Sequence, residues 1–356
     1  MPNTPPVFRY AAGQSPEAWG LAHGEHFRRE IHELAGIRRD LMRARNPALA
    51  GEALEREAQR QFAATQAWAP DLMREFSGIQ MGAGVSLSSL VILNNYTDFR
   101  DIELPEEGCS TVAYFDEDRA LAGQTWDMHA SAQPYVIFLD IPEGAGRPRQ
   151  GVFSLTGCLG MAGFSGNPIA VGVNNLNTRN ARSALLWPAL VRTLLAAPSL
   201  DECEKILREA KPTSGHAYLI ASEHGAQIWE VSPDLAEPVA KTSSDQGKVI
   251  FHTNHCLHAS LKKCESPSAM ASTTLDRYAL LEKKSGEIAD LESLIQVLTS
   301  HEGFPKSICS HFQSGAQDPS MTCGGFAVDL KNRQGVFWRG CPEYDAGHSR
   351  FAVDFR

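Results

Sequence analysis

The hydrophobic periodicity of this 356-residue chain changes once, near residue 105, and that change limits the folds open to it. Before the change the spacing is helical. Apolar residues recur at helical intervals over Glu17–Ile37, and Gly51–Phe76 is a run of Ala, Glu, Arg and Gln, all strong helix formers. Ser86 is placed to cap a further helix carrying Leu87, Leu90, Val91 and Leu93. The acidic stretch Asp98–Glu107, interrupted by Pro105, reads as an exposed connection. After residue 109 short strands are predicted at Ser110–Phe115, Leu121–Asp127, Tyr135–Ile141, Gly151–Leu155 and Ile169–Asn175. Helices follow at Ser183–Ala197 and Leu200–Ala210, then strands at His216–Ala221, Ala226–Val231 and Lys248–His255. Helices at Ser272–Lys284 and Leu291–Thr299 precede closing strands at Gly325–Leu330, Gly335–Arg339 and Arg350–Phe355. Strands in blocks separated by grouped helices predict α+β layers with mainly antiparallel sheets, not a repeating βαβ fold.

Composition narrows the function. With 43% hydrophobic and 21% charged residues the chain can bury a large core. A net charge of −9 argues against a nucleic-acid footprint. The apolar run around Leu185–Ala197 is too short for a membrane span and is broken by Trp187-Pro188 and Arg192. The first residues lack the basic and apolar regions of a secretory signal. Eight scattered cysteines are therefore expected to be reduced thiols in a cytoplasmic protein.

One cysteine has an unusual setting. An acidic loop leads into Gly108, and Cys109 opens the strand Ser110-Thr-Val-Ala-Tyr-Phe. A lone cysteine is ordinarily a small buried hydrophobe; the wider pattern changes that reading. Gly108-Cys-Ser-Thr, then Gly123-Gln-Thr-Trp-Asp127 and His252-Thr-Asn-His-Cys256, resemble the acyl-CoA:6-aminopenicillanate acyltransferase (isopenicillin N acyltransferase-like) family of N-terminal nucleophile (Ntn) hydrolases. The resemblance runs nearly end to end. Gly20-Leu-Ala-His-Gly24 is similar to the family's opening motif, Val85–Phe99 to the helix before its processing site, and Gly303-Phe-Pro-Lys-Ser-Ile-Cys309 to a late segment.

The resemblance implies a four-layer αββα sandwich of two antiparallel sheets. It implies a precursor cut between Gly108 and Cys109 into a mostly helical fragment 1–108 and a catalytic fragment 109–356, which remain associated as one structural domain. Chemistry explains the cut. A thiol at neutral pH needs a base, and an α-amino group, with a pKa of about 7.7–8.0, serves only once the preceding peptide bond is gone. By the same resemblance Asp127, eighteen residues on, orients the new amine, Asn254 supplies an N–H to the tetrahedral oxyanion, and an asparagine after the strand Ile169–Val173 adds to it, either Asn175 or its neighbour Asn174. Strand alternation would set Ile250, His252 and Asn254 on one face. Trp126 and Met128 would wall an acyl pocket or belong to the core. His129 is either a specificity residue or a surface histidine. Two departures stand out: the turn Gly163-Phe-Ser-Gly-Asn-Pro168 differs from the family pattern, and Ser320-Met-Thr-Cys-Gly-Gly325 lacks the arginine often found there.

The implied activity is that of a cysteine amidohydrolase or acyltransferase on a linear amide, taking a small N-acyl amide or peptide-like metabolite through a Cys109 thioester. Acyl-CoA-dependent N-acyl transfer is the alternative with the same acyl-enzyme. No metal, organic cofactor, nucleic acid or membrane partner is expected. A rival of another class is a zinc-stabilised binding module built on His252, His255 and Cys256, with His258 and Cys264 nearby; their spacing fits no standard zinc pattern.

Overall fold

The computed structural model describes residues 6–45, 47, 51–99, 108–144, 146–267, 272–311 and 320–355. The chain opens with strand β1 (Val7–Arg9) and helices α1 (Pro16–His26), α2 (Arg28–Arg45), α3 (Gly51–Trp68), α4 (Pro70–Ala83) and α5 (Leu87–Phe99). The two long helical runs of the sequence are each broken. The first breaks at Phe27, which leaves helical geometry at φ −107°. The second breaks at Pro70, which lacks an N–H to continue α3 and instead starts α4. Then come β2 (Cys109–Phe115), β3 (Ala120–His129), β4 (Val136–Ile141), β5 (Gln150–Leu155), β6 (Ala162–Ser165) and β7 (Ala170–Leu176). They are followed by α6 (Trp187–Ala196), α7 (Leu200–Glu209), β8 (Gly215–Ser222), β9 (Gly225–Val231), β10 (Ala236–Ser243) and β11 (Val249–His252). The chain closes with α8 (Ala259–Lys262), α9 (Thr274–Lys284), α10 (Leu291–Leu298), β12 (Ser320–Asp329), β13 (Gln334–Arg339) and β14 (Ser349–Asp354).

The strands form two sheets, ordered β1-β4-β5-β6-β7-β8-β9-β10 and β11-β2-β3-β12-β13-β14. Every pairing is antiparallel except β1 with β4. The sheets pack face to face through β2, β3 and β7, while α6 and α7 cover the outside of the first and α9 and α10 the outside of the second. This is the αββα sandwich that the sequence leads one to expect. Strand alternation supplies both faces of the second sheet. Ala113, Ala122 and Phe326 point into the main core. Val112, Leu121 and Ala327 point out to a smaller core with Leu281, Leu294 and Leu298. Strands β1, β6 and β10 are too short or too polar to stand out in the sequence. β10, for instance, contains Pro238 at a register shift and lies on a sheet edge.

The N-terminal helices are built into this body. β1 extends the first sheet, and Tyr10, Ile31, Leu34, Phe76 and Leu90–Leu93 share one core with the strands. The Gly20-Leu-Ala-His-Gly24 motif is explained by packing. Gly20 and Gly24 of α1 meet Gly78 and Gly82 of α4, and a Cβ at Gly20 would lie 1.9 Å from the Glu75 carbonyl oxygen. The glycines let the two backbones touch. His23 between them is buried, accepts from Gly157 N at Nε2 (2.9 Å) and faces the Tyr10 hydroxyl with Nδ1 (3.0 Å). Tyr10 donates to Glu75 (3.0 Å), which Arg192 of α6 grips with two N–H groups at 3.0 and 3.1 Å. Gly20→Ala is expected to separate α1 from α4 and cost at least the roughly 1–3 kcal/mol usual for overpacking. A thermal melt of the purified variant checks it.

Candidate active site

The hairpin β2–β3 sets the spacing that singled out Asp127. Its register pairs Cys109 with Trp126, so Gly108 lies opposite Asp127. The peptide bond between Gly108 and Cys109 is held at both polar atoms. The Gly108 carbonyl accepts from Asp127 N at 2.7 Å, and the Cys109 N–H donates to Asn254 Oδ1 at 2.8 Å. A Cβ on Gly108 would lie 2.7 Å from Arg277 Nη2 and 2.8 Å from Asp127 Oδ2, so only glycine fits between the two charged side chains without displacing one of them. Cys109 itself is 7% exposed.

Arg277 is the residue that sequence reasoning missed. It rises from the first turns of α9, is fully buried, and donates to the Cys109 carbonyl (2.6 Å), Ser110 Oγ (3.1 Å), Asn254 Oδ1 (2.9 Å) and Thr273 Oγ1 (3.1 Å). Burial lowers its pKa, and the charges of Asp127 and Cys109 act the other way. It stands beside Cys109, where the Ser320–Gly325 segment offers no arginine. In sequence it is one basic residue in a helix rich in charges, which carries no signal. The Ser320–Gly325 segment contributes Thr322 instead. Its hydroxyl donates to Asp127 Oδ1 at 2.6 Å while accepting from Ser310 N at 2.8 Å. Burial raises the Asp127 carboxyl to about 6, with Arg277, Thr322 and His311 pulling it back.

Asn254 does not extend β11, which ends at His252; it sits in the turn beyond, its N–H donating to Thr274 Oγ1 at 2.7 Å. Two donors face its Oδ1, which fixes the amide orientation. Nδ2 therefore points to the Asn175 carbonyl at 2.9 Å. The two candidate asparagines of β7 separate by strand alternation. Asn174 is buried, takes Thr111 Oγ1 on its Oδ1 (2.7 Å) and donates to the Cys109 carbonyl (2.9 Å). Asn175 lines the cleft over Cys109.

That cleft is narrow, with about 40 Å³ of cavity volume. Trp126, Met128, Met161, Val173 and Trp187 give it apolar walls, and Cys109, Asp127, Asn175 and Asn254 lie in its floor. The segment that precedes Gly108 also lines it, through Arg38 of α2 and Asn94, Tyr96 and Thr97 of α5. α5 is shaped for this. It kinks at Asn95 (φ −122°), where Asn95 Nδ2 reaches Gln61 at 3.0 Å, and Asn94 clasps the β5–β6 turn through the Gly157 carbonyl and Leu159 N. Gln124 ties the sheets together beneath the cleft, bonding both backbone groups of Val173 at 2.7 Å.

Other expectations change. His129 is not a surface residue: it is 6% exposed, bonded to Ser131 Oγ (2.7 Å), and packs edge-on against Tyr96 rather than lining the cleft. Asp98, read as part of an exposed connection, is buried in α5 beside His216 (3.2 Å); residues 100–107 lie outside the described residues. The His/Cys cluster at 252–264 is dispersed. His252 bonds Glu230 (3.0 Å), whose carboxylate also takes the Leu257 and His258 N–H groups and so staples the turn. His255 faces Thr274 (3.1 Å), His258 caps α8, and burial pushes the Cys256 thiol up. Among the described residues these side chains form no metal-binding group.

The model of the family described as acyl-coenzyme A:6-aminopenicillanic acid acyl-transferase matches residues 115–327, a span that contains Asp127, Asn254, Arg277 and Thr322. The chain belongs to that family. A curated relative, the acyl-coenzyme A:6-aminopenicillanic-acid-acyltransferase 40 kDa form of Emericella nidulans, is 27% identical over 310 residues, covering 85% of this chain and 84% of the relative. Solved structures with weaker likeness include a mutant conjugated bile acid hydrolase from Clostridium perfringens (11% identity, TM-score 0.42, 69% of this chain and 92% of that one). Another is penicillin V acylase from Agrobacterium tumefaciens (10% identity, TM-score 0.36, 69% and 86%). Membership rests on the family match.

Proposed function

We propose that the chain is the precursor of an acyl-transfer enzyme that cuts itself between Gly108 and Cys109 and then uses Cys109 as an N-terminal nucleophile on small N-acyl amides. The observation that carries this reading is the clamped junction, with Asp127 N on the carbonyl and Asn254 Oδ1 on the amide of one peptide bond. The Cys109 sulfur attacks the Gly108 carbonyl carbon, whose oxygen takes the developing charge against Asp127 N. The C–N bond breaks, the thiol proton passes to the departing α-amine, and water hydrolyses the Gly108–Cys109 thioester to a carboxylate and a free thiol. Asn254 Oδ1 and the Asp127 carboxylate then face an amine in place of an amide. In turnover that amine takes the thiol proton, the substrate acyl group moves to sulfur, and the leaving amine departs protonated. An amide nitrogen carries two hydrogens, so Asn254 Nδ2 keeps one for an oxyanion while bonded to Asn175.

The apolar walls suit an apolar acyl group. Release to water gives an amidase and release to an amine gives an acyltransferase. Acyl-CoA thioesters, as donors, would enter the same acyl-enzyme.

Intact mass of the purified protein tests the reading. Wild type resolves into fragments 1–108 and 109–356 that co-purify, Cys109→Ala stays whole, and an N-acyl amide leaves its acyl mass on 109–356. A wild type that stays whole, or a Cys109→Ala protein of equal activity, removes it. A carboxyl poised at about 6 beside the junction also predicts a pH profile. If ionised Asp127 assists the thiol, the cutting rate rises through pH 6 and levels off above it, as the deprotonated fraction does. Rates from freshly refolded precursor across pH 5–8 check the sign.

A further inference from the structure

We propose that His301, Cys309, His311 and Cys341 form a structural zinc site that fastens the last third of the chain behind Asp127. The four ligand atoms all lie within 4.8 Å of one another. Cys341 Sγ is 3.3 Å from His301 Nε2, and Cys309 Sγ is 3.6 Å from His311 Nε2. With Zn–S of about 2.3 Å and Zn–N of about 2.0–2.1 Å, a tetrahedron has S–N edges of roughly 3.6 Å. The two Nε2 atoms face each other at 2.5 Å and need to part by roughly 0.8 Å to reach the N–N edge of that tetrahedron. Both rings are half-buried and pack against Tyr344.

The surroundings are those of a ligand set. His301 Nδ1 lies 2.8 Å from the Glu343 carboxylate, which holds the proton on Nδ1 and turns the lone pair of Nε2 toward His311. Two imidazole nitrogens in this opposition require a cation or a proton between them. The N–H groups of Glu343 and Tyr344 donate to Cys341 Sγ at 3.3 and 3.4 Å, stabilising a thiolate. Two sulfurs and two imidazoles select a borderline-soft tetrahedral ion, and four protein ligands leave no open position, the mark of a structural site.

The ligands come from the loop after α10, the approach to β12, and the turn after β13. Ser310, between two of them, is the residue whose N–H holds Thr322, which in turn holds Asp127. The ion would thus fix the support of Asp127 without touching the reacting atoms.

Elemental analysis of protein purified without metal-affinity resin or chelator tests this, and it can be run on Cys109→Ala, so that it stands or falls apart from self-cleavage. About one zinc per chain is expected. Cobalt replacing it should give the visible absorption of a tetrahedral ion with thiolate ligands. Cys341→Ser and His311→Ala should each lose the metal, while Cys256→Ser and Cys264→Ser retain it. Should the ligand variants fail to fold, zinc release from the wild type by a chelator, with a fall in its thermal midpoint that added zinc reverses, supports the site. Three outcomes overturn it: no zinc and no cobalt spectrum after loading, metal lost in the Cys256 or Cys264 variant instead, or a Cys309–Cys341 disulfide in the native protein.

Discussion

Arg277→Met is expected to slow self-cleavage by about two orders of magnitude, the usual scale for removing a donor around a reacting acyl group. The methionine fills much of the volume but supplies none of the four hydrogen bonds. The Cys109 carbonyl keeps its bond from Asn174 but loses that from Arg277, and Asn254 Oδ1 keeps the Cys109 N–H but loses the guanidinium. Asp127 also loses the nearby cation that pulls its carboxyl down, so less of it is ionised at neutral pH. Arg277→Lys restores the charge without the planar fork, and should recover the Asp127 contribution but not the geometry of the junction. Cleavage rates of the two variants, followed on a denaturing gel from a refolded precursor, separate charge from position. If the methionine variant cuts at the wild-type rate, Arg277 is merely a buried structural cation.

Gly108→Ala is the second large effect. Its methyl would lie 2.7 Å from Arg277 Nη2 and 2.8 Å from Asp127 Oδ2. Arg277 cannot swing aside cheaply, since four bonds anchor it. A strain of about 1–3 kcal/mol at the junction, carried into the transition state, corresponds to roughly 5- to 150-fold slower cutting. In the proposed cleavage residue 108 leaves Cys109 once the bond is broken. Those molecules that do mature should therefore turn over substrate at the wild-type rate per cut chain. An alanine variant whose cut form is equally impaired would show that the methyl damages the cleft and not the cleavage.

What the sequence makes legible here is what is local or fixed by a hairpin. The interval from Cys109 to Asp127 is a register, Cys109 opposite Trp126 with Gly108 opposite Asp127, and a register is written in the strand pattern. Asn254 could be found through the motif around it, though its face could not, because β11 stops two residues earlier. Arg277 had no local mark: nothing in Thr274-Leu-Asp-Arg-Tyr278 says that one charged residue of the helix points inward. The cysteine and histidine groups show the same limit from both sides. The residues dense in sequence, 252–264, are pulled apart by Glu230 and Thr274. Those that converge are spread from 301 to 341, across three connections whose meeting is a property of the sheet. The family's opening glycines were legible as a motif, but their reason is a helix crossing, seen only when α4 is laid against α1.

The sharing of one core and one cleft across the junction bears on what a cut enzyme would inherit. With β1 completing a sheet edge and α5 lining the cleft, the instructions for the fold are written on a single strand of polypeptide that the proposed reaction would divide in two. Folding of the precursor is a first-order event. Refolding of a cut enzyme would be second-order, and its stability would fall on dilution. The proposed cleavage would thus change molecularity as well as chemistry: it would install the amine and, in the same step, make the folded state harder to regain than to keep.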